Sequence, residues 1–74
     1  KMILKIYSLE GTVFEGETAS VSLPSTDGEI TVLKDHIPLI TTLKSGNIKF
    51  ADQNLPIKGG FAEIGGDKVV VLVN

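Results

Sequence analysis

Apolar and polar residues alternate with a period of two along several stretches of the chain. Met2, Leu4 and Ile6 share one side of the first stretch, Ala19, Val21 and Leu23 alternate with Thr18, Ser20 and Ser22 in another, and Ile48 and Phe50 repeat the pattern further on. Successive side chains of a strand point to opposite faces, so each stretch reads as a strand with one dry and one wet face. Val69-Val70-Val71-Leu72-Val73 differs in being apolar at every position. It is predicted to be a central or doubly covered strand that anchors the core.

Turn chemistry separates these stretches at short intervals. Glu10-Gly11, Gly16, Pro24 to Gly28, Asp35 to Pro38, Ser45-Gly46, Asp52 to Asn54, Gly59-Gly60 and Gly65-Gly66-Asp67 carry residues that favour turns or interrupt regular structure. No interval between them has room for a substantial helix, and Val, Ile and Thr, which pack well on a pleated surface, are abundant. A lone sheet would leave its apolar face in water, so the expected fold is all-β, a small β-sandwich of about eight to ten short strands. Gly65-Gly66-Asp67 is expected to close a tight hairpin, Pro24 and Pro38 to mark strand boundaries, and Leu39 and Leu43 to enter the core from one strand face.

The 74 residues suffice for one domain and its core, with 42% hydrophobic residues. The absence of cysteine removes disulfides, thiolate nucleophiles and thiolate metal sites, and it fits a reducing compartment. The formal charge is -2, and all the basic residues are scattered lysines with no arginine, so no stripe exists to track a phosphate backbone and nucleic acid is not an expected partner. The run Val69 to Val73 falls far short of the roughly 20 residues of a membrane helix, and Lys1 to Lys5 is too short for a signal peptide, so a cytosolic setting is expected.

Catalytic constellations are not assembled by this sequence. His36 is the only histidine. Ser8, Ser20, Ser22, Ser25 and Ser45 could pair with it and with Asp27 or Asp35, but no strand-turn-helix elbow presents a nucleophile. The glycine pairs at 59–60 and 65–66 lack the Lys-Ser/Thr and helix start of a phosphate loop, and Asp27-Gly28-Glu29 lacks the alternating oxygen ligands of a calcium loop. No cofactor, metal or catalytic residue is therefore expected. His36, between Asp35 and Ile37-Pro38, is read as a loop residue that bonds its own loop, with contact to a partner as the competing role.

One resemblance spans nearly the whole chain. Leu23-Pro24-Ser25-Thr26-Asp27-Gly28-Glu29, Val32-Leu33, His36-Ile37-Pro38-Leu39-Ile40-Thr41 and Leu43-Lys44-Ser45-Gly46 are similar in order and spacing to the central signature of ATP synthase epsilon subunits. Val13-Phe14-Glu15-Gly16 resembles that family's early turn, and Gly59-Gly60-Phe61-Ala62-Glu63-Ile64 with Lys68-Val69 its closing hairpin. The resemblance implies a non-catalytic β-sandwich domain over residues 1–74 that docks on the gamma subunit and the membrane c-ring of an F-type ATP synthase, coupling proton- or sodium-driven rotation to ATP synthesis. It further implies a peripheral place on the cytoplasmic face of the bacterial inner membrane, or in the equivalent organelle compartment. By position, Glu29 corresponds to the family's acidic residue at the c-ring loops, and Ser8, His36 and Thr41 to positions facing gamma.

The pattern also departs from the family. Thr31 stands where a glycine is usual and Lys34 where a proline is common, the turn at Asp52-Gln53-Asn54 is short, and the sequence stops at Asn74, where relatives continue into two helices that in many members bind ATP or inhibit hydrolysis. Two other classes fit the sequence less well. A stand-alone sandwich that binds a peptide or sugar lacks aromatic platforms, since Tyr7, Phe14, Phe50 and Phe61 are the only aromatic residues. A biotinyl or lipoyl carrier domain would place its lysine in a hairpin setting that neither Lys58 nor Lys68 has.

Overall fold

The alternation at Met2, Leu4 and Ile6 becomes β1 (Met2–Ser8), whose three apolar side chains are fully buried. A computed structural model describes all 74 residues. It continues with β2 (Gly11–Thr18), β3 (Ser20–Ser25), β4 (Gly28–Leu33), β5 (His36–Leu43), β6 (Gly46–Phe50), β7 (Gln53–Ile57), β8 (Gly60–Gly66) and β9 (Lys68–Val73), with no helix. The expected all-β fold and strand number are both met.

Pairing runs β2-β1-β9-β8-β5, then β3-β6-β7, with β4 on the other edge of β3. All pairs are antiparallel except β1 with β9, where the first and last strands lie side by side. β5 and β3 meet only at Ser25 and Leu43, and the sheet folds over at this join into two layers. We call β2-β1-β9-β8-β5 the first layer and β4-β3-β6-β7 the second. Between them lies one core, to which Leu4, Ile6, Val69, Val71, Ala62 and Ile64 contribute from the first layer and Val21, Leu23, Val32, Ile48, Phe50 and Ile57 from the second. Phe14 of β2 meets Phe50 of β6 with ring centroids 4.6 Å apart and planes tilted by 50°, closing the side away from the β5–β3 join.

Several local expectations are corrected. Gly16 does not interrupt the chain, because β2 runs through it, and Pro24 lies inside β3, where its carbonyl accepts a bond of 2.8 Å from the Lys44 amide. Thr18, expected on the wet face, is buried, and Ala19, expected in the core, is exposed. The chain bends at Ala19 between two strands, which resets the alternation, and the Thr18 hydroxyl is satisfied by donating to the Ser20 carbonyl at 2.8 Å. The turn expected at Asp52 to Asn54 falls on Ala51 and Asp52, leaving Gln53 and Asn54 in β7. Leu43 enters the core, but Leu39 sits on the same face beyond its edge and is partly exposed.

The hairpin at Gly65-Gly66-Asp67 forms as expected, with Gly66 at a left-handed φ of 57°. Pro38, expected at a strand boundary, lies instead inside β5, where the β5–β8 register shifts between His36 and Leu39 and no donor to the ladder is needed. β9 is central, as expected. Its second face is uncovered, however, since Val69 and Val71 point into the core while Leu72 is half exposed.

Candidate functional site

The two outer faces of the sandwich differ in chemistry. On the first layer, cross-strand register places Tyr7, Leu72, Phe61 and Thr42 in one row across β1, β9, β8 and β5, with Lys5, Val70, Glu63 and Ile40 in the row beside it. Leu72 is 50% exposed, Phe61 39% and Ile40 65%, and Ile3 continues the apolar surface on β1. A groove of about 410 Å³ runs over this face between Tyr7, Phe61 and Leu72 and the end of the chain at Asn74. Leu9, at the tip of the β1–β2 turn beside the groove, is 97% exposed.

The groove has a fixed polar edge. The Tyr7 hydroxyl donates to the Glu15 carboxylate at 2.8 Å, and this hydrogen bond, followed by burial and then by the carboxylate charge, raises the phenol above its ordinary value. Tyr7 thus presents a neutral ring whose donor is already engaged.

On the second layer the outer face is mainly polar, with Leu33 as an exposed apolar residue. The Ser22 and Thr31 hydroxyls share a bond of 3.2 Å across β3 and β4, and Lys49 reaches Glu29 at 3.8 Å across β6 and β4. Both charged groups are more than half exposed, so the pair stabilises the fold by less than about 1 kcal/mol.

The sequence-derived contact residues are not gathered into one cluster. Glu29 lies near the start of β4 and Ser8 at the end of β1, at the end of the sandwich that also carries the β5–β6 loop and Asn74. The Ser8 hydroxyl accepts from the Glu10 amide at 3.2 Å and so shapes the β1–β2 turn. Thr41 points inward, in the row of Ile6, Val71 and Ala62, and its hydroxyl shares a bond of 3.0 Å with that of buried Ser25. His36 lies at the opposite end, paired with Gly66, with its Nδ1 proton donated to the Ile37 carbonyl at 2.7 Å. The expected bond to its own segment is present, although His36 opens β5 and does not lie in a loop.

The apolar outer face went unassigned in the sequence reading. Its signal was the segment Val69 to Val73, apolar on both faces and read as a central or doubly covered strand. No group of three or more His, Cys, Asp or Glu residues is brought together, and no helix is long and apolar enough to cross a membrane.

The fold and surfaces define a small, mostly antiparallel β-sandwich domain with an apolar outer face on its first layer. The sequence profile of the ATP synthase delta/epsilon chain β-sandwich domain matches residues 1–74, and the chain belongs to that family. An ATP synthase epsilon chain from Prochlorococcus marinus (strain MIT 9312) is 41% identical over 75 residues, covering 96% of this chain and 56% of the relative. Another from Endomicrobium trichonymphae is 46% identical over 76 residues, covering 97% and 55%. The chain thus spans a little over half the length of these curated relatives.

Two solved structures share the fold. One is a chain in the central stalk and c-ring structure of the Tetrahymena thermophila mitochondrial ATP synthase, with a TM-score of 0.82 at 12% identity, covering 99% of this chain and 63% of that one. The other belongs to the OSCP/F1/c-ring structure of the Euglena gracilis mitochondrial ATP synthase, with a TM-score of 0.85 at 21% identity, covering 99% and 50%.

Proposed function

We propose that the chain is the non-catalytic β-sandwich domain of an epsilon subunit in an F-type ATP synthase, docking on the gamma subunit and the c-ring to couple ion-driven rotation to ATP synthesis. The observation that carries this reading is the uncovered row Tyr7–Leu72–Phe61 on the first layer. Half-exposed aromatic and aliphatic side chains on a rigid sheet supply the desolvated centre of an interface, and the lysines and acids around them supply its polar rim. Transmission of torque requires buried area and fixed register, both of which a rigid sandwich provides without a catalytic group.

Within this reading Ser8, His36 and Thr41 face gamma and Glu29 faces the ring. Because Thr41 points inward with its hydroxyl engaged by Ser25, it serves through the placement of β5 and not as a direct side-chain contact. The domain works at the cytoplasmic face of the bacterial inner membrane, or in the equivalent organelle compartment, held there by its partners.

The test is retention of the chain by a purified complex of gamma and c-ring, comparing wild type with Glu29→Ala and His36→Ala. Retention of the wild type, weakened in both variants, supports the docking role and its contacts. Absence of binding by a folded wild-type chain overturns the role and leaves a stand-alone binding module as the better account.

A further inference from the structure

Glu29 is not an isolated acid. It lines a shallow depression of about 240 Å³ with Pro24, Lys44, Ser45, Gly46, Asn47 and Lys49, none of them a large apolar residue. The floor is rigid, because Pro24 packs so closely on Gly46 that a Cβ at position 46 would lie 2.8 Å from the Pro24 Cβ. Its lining includes two lysines and one glutamate. Lys49 is paired with Glu29 at 3.8 Å, and no carboxylate lies within ion-pair distance of Lys44. The depression therefore carries a surplus positive charge on a chain whose net charge is -2.

We infer that this depression receives a carboxylate side chain from a loop of the docking partner, held between Lys44 and Lys49, with Glu29 acting as a positioning residue that fixes the Lys49 ammonium. The inference rests on the docking reading above and deepens it, since it gives the surface around Glu29 a preference for an acidic group where the glutamate alone would point to a basic one. Two lysines that line one depression can each give a charge-assisted hydrogen bond to an oxyanion received there. A protein carboxylate fits better than an anionic membrane surface. The acidic net charge and scattered lysines disfavour a broad negative surface.

The experiment measures the Kd of the full chain for an immobilised cognate complex of gamma and c-ring, for wild type, Lys44→Glu, Lys49→Glu and the control Lys58→Glu, at low and high salt. Lys58 lies outside the depression and undergoes the same change of charge. Lys44→Glu and Lys49→Glu are expected to weaken binding by about tenfold or more, as reversal of one member of an interfacial charge pair does, and Lys58→Glu by less than about twofold. The difference between the depression variants and wild type should shrink at high salt. All variants should keep the wild-type melting temperature, because the substituted side chains are exposed.

A wild-type chain that binds with Lys44→Glu binding equally well overturns the inference and leaves the docking reading intact. A folded wild-type chain that fails to bind overturns the docking reading, and the inference with it. In a parallel arm with phosphatidylglycerol vesicles, no binding is expected. Vesicle binding by wild type that Lys44→Glu abolishes would assign the site to lipid headgroups and overturn the protein carboxylate.

Discussion

Phe61 on β8 stands directly opposite Leu72 on β9, both on the outer side of the first layer and both uncovered. Such a cross-strand pair contributes a few tenths of a kcal/mol to about 1 kcal/mol to the isolated sheet. Its greater effect is to leave an apolar surface facing water.

Phe61→Ser and Leu72→Ser are accordingly expected to lower the stability of the free domain by only about 1 kcal/mol in urea titration. The same variants should bind the gamma–ring complex more weakly by about tenfold or more, as truncation at the centre of an interface does. A loss of stability comparable with that from a buried position such as Ile6 would show the pair to be core.

Gly60 opens β8 where it passes β9 so closely that a Cβ would lie 2.2 Å from the Leu72 carbonyl oxygen. That oxygen belongs to the main chain and cannot swing aside. Gly60→Ala is expected to cost about 3 kcal/mol, at the upper end of overpacking penalties, measured as a fall in calorimetric melting temperature. The nearby Gly65→Ala, where a Cβ meets open space, should cost far less.

Ala51 turns the β6–β7 hairpin at a left-handed φ of 51°, a conformation that strains any residue with a Cβ. Ala51→Gly is expected to stabilise the domain by about 0.5–1 kcal/mol, the relief of strain exceeding the entropy glycine gains in the unfolded chain. Chemical denaturation with an unchanged slope would check it.

The Tyr7 phenol is held above its ordinary value, chiefly by its bond to Glu15. A raised value means that the folded state favours the neutral phenol. The stability this contributes is fully present below the unfolded tyrosine value near 10 and is lost as pH rises through the folded value. Ultraviolet titration of this only tyrosine should show a midpoint above that of the unfolded chain, and Glu15→Gln should bring it down. An unchanged midpoint in Glu15→Gln would separate the shift from this hydrogen bond.

The sequence revealed most where local chemistry decides the outcome. Met2, Leu4 and Ile6 gave β1, Val21 and Leu23 gave β3, and Gly66 gave the closing turn, because alternation and turn geometry are short-range properties. It failed where tertiary contacts intervene. The bend at Ala19 is set by the crossing from one layer to the other, β2 passes through Gly16 because its ladder with β1 continues, and Pro24 stays inside β3 because its carbonyl still has the Lys44 amide to accept. The candidate surface was only half legible. Glu29, Ser8, His36 and Thr41 came from resemblance, whereas the row Tyr7–Leu72–Phe61 depends on which strands become neighbours, a long-range fact that strand periodicity does not contain.

The most direct test of docking through the first layer uses the absence of native cysteine. Single cysteines are placed at Phe61, on the apolar outer face, and at Asp52, in the β6–β7 turn of the second layer, and the rate of maleimide labelling is compared in the free chain and in the assembled gamma–ring complex. Assembly is predicted to slow labelling at Phe61→Cys by about tenfold or more while leaving Asp52→Cys nearly unchanged, as expected when a central contact is shielded from solvent. Equal labelling of Phe61→Cys in the free and assembled chain, with assembly verified, would contradict the claim that this face is the docking surface.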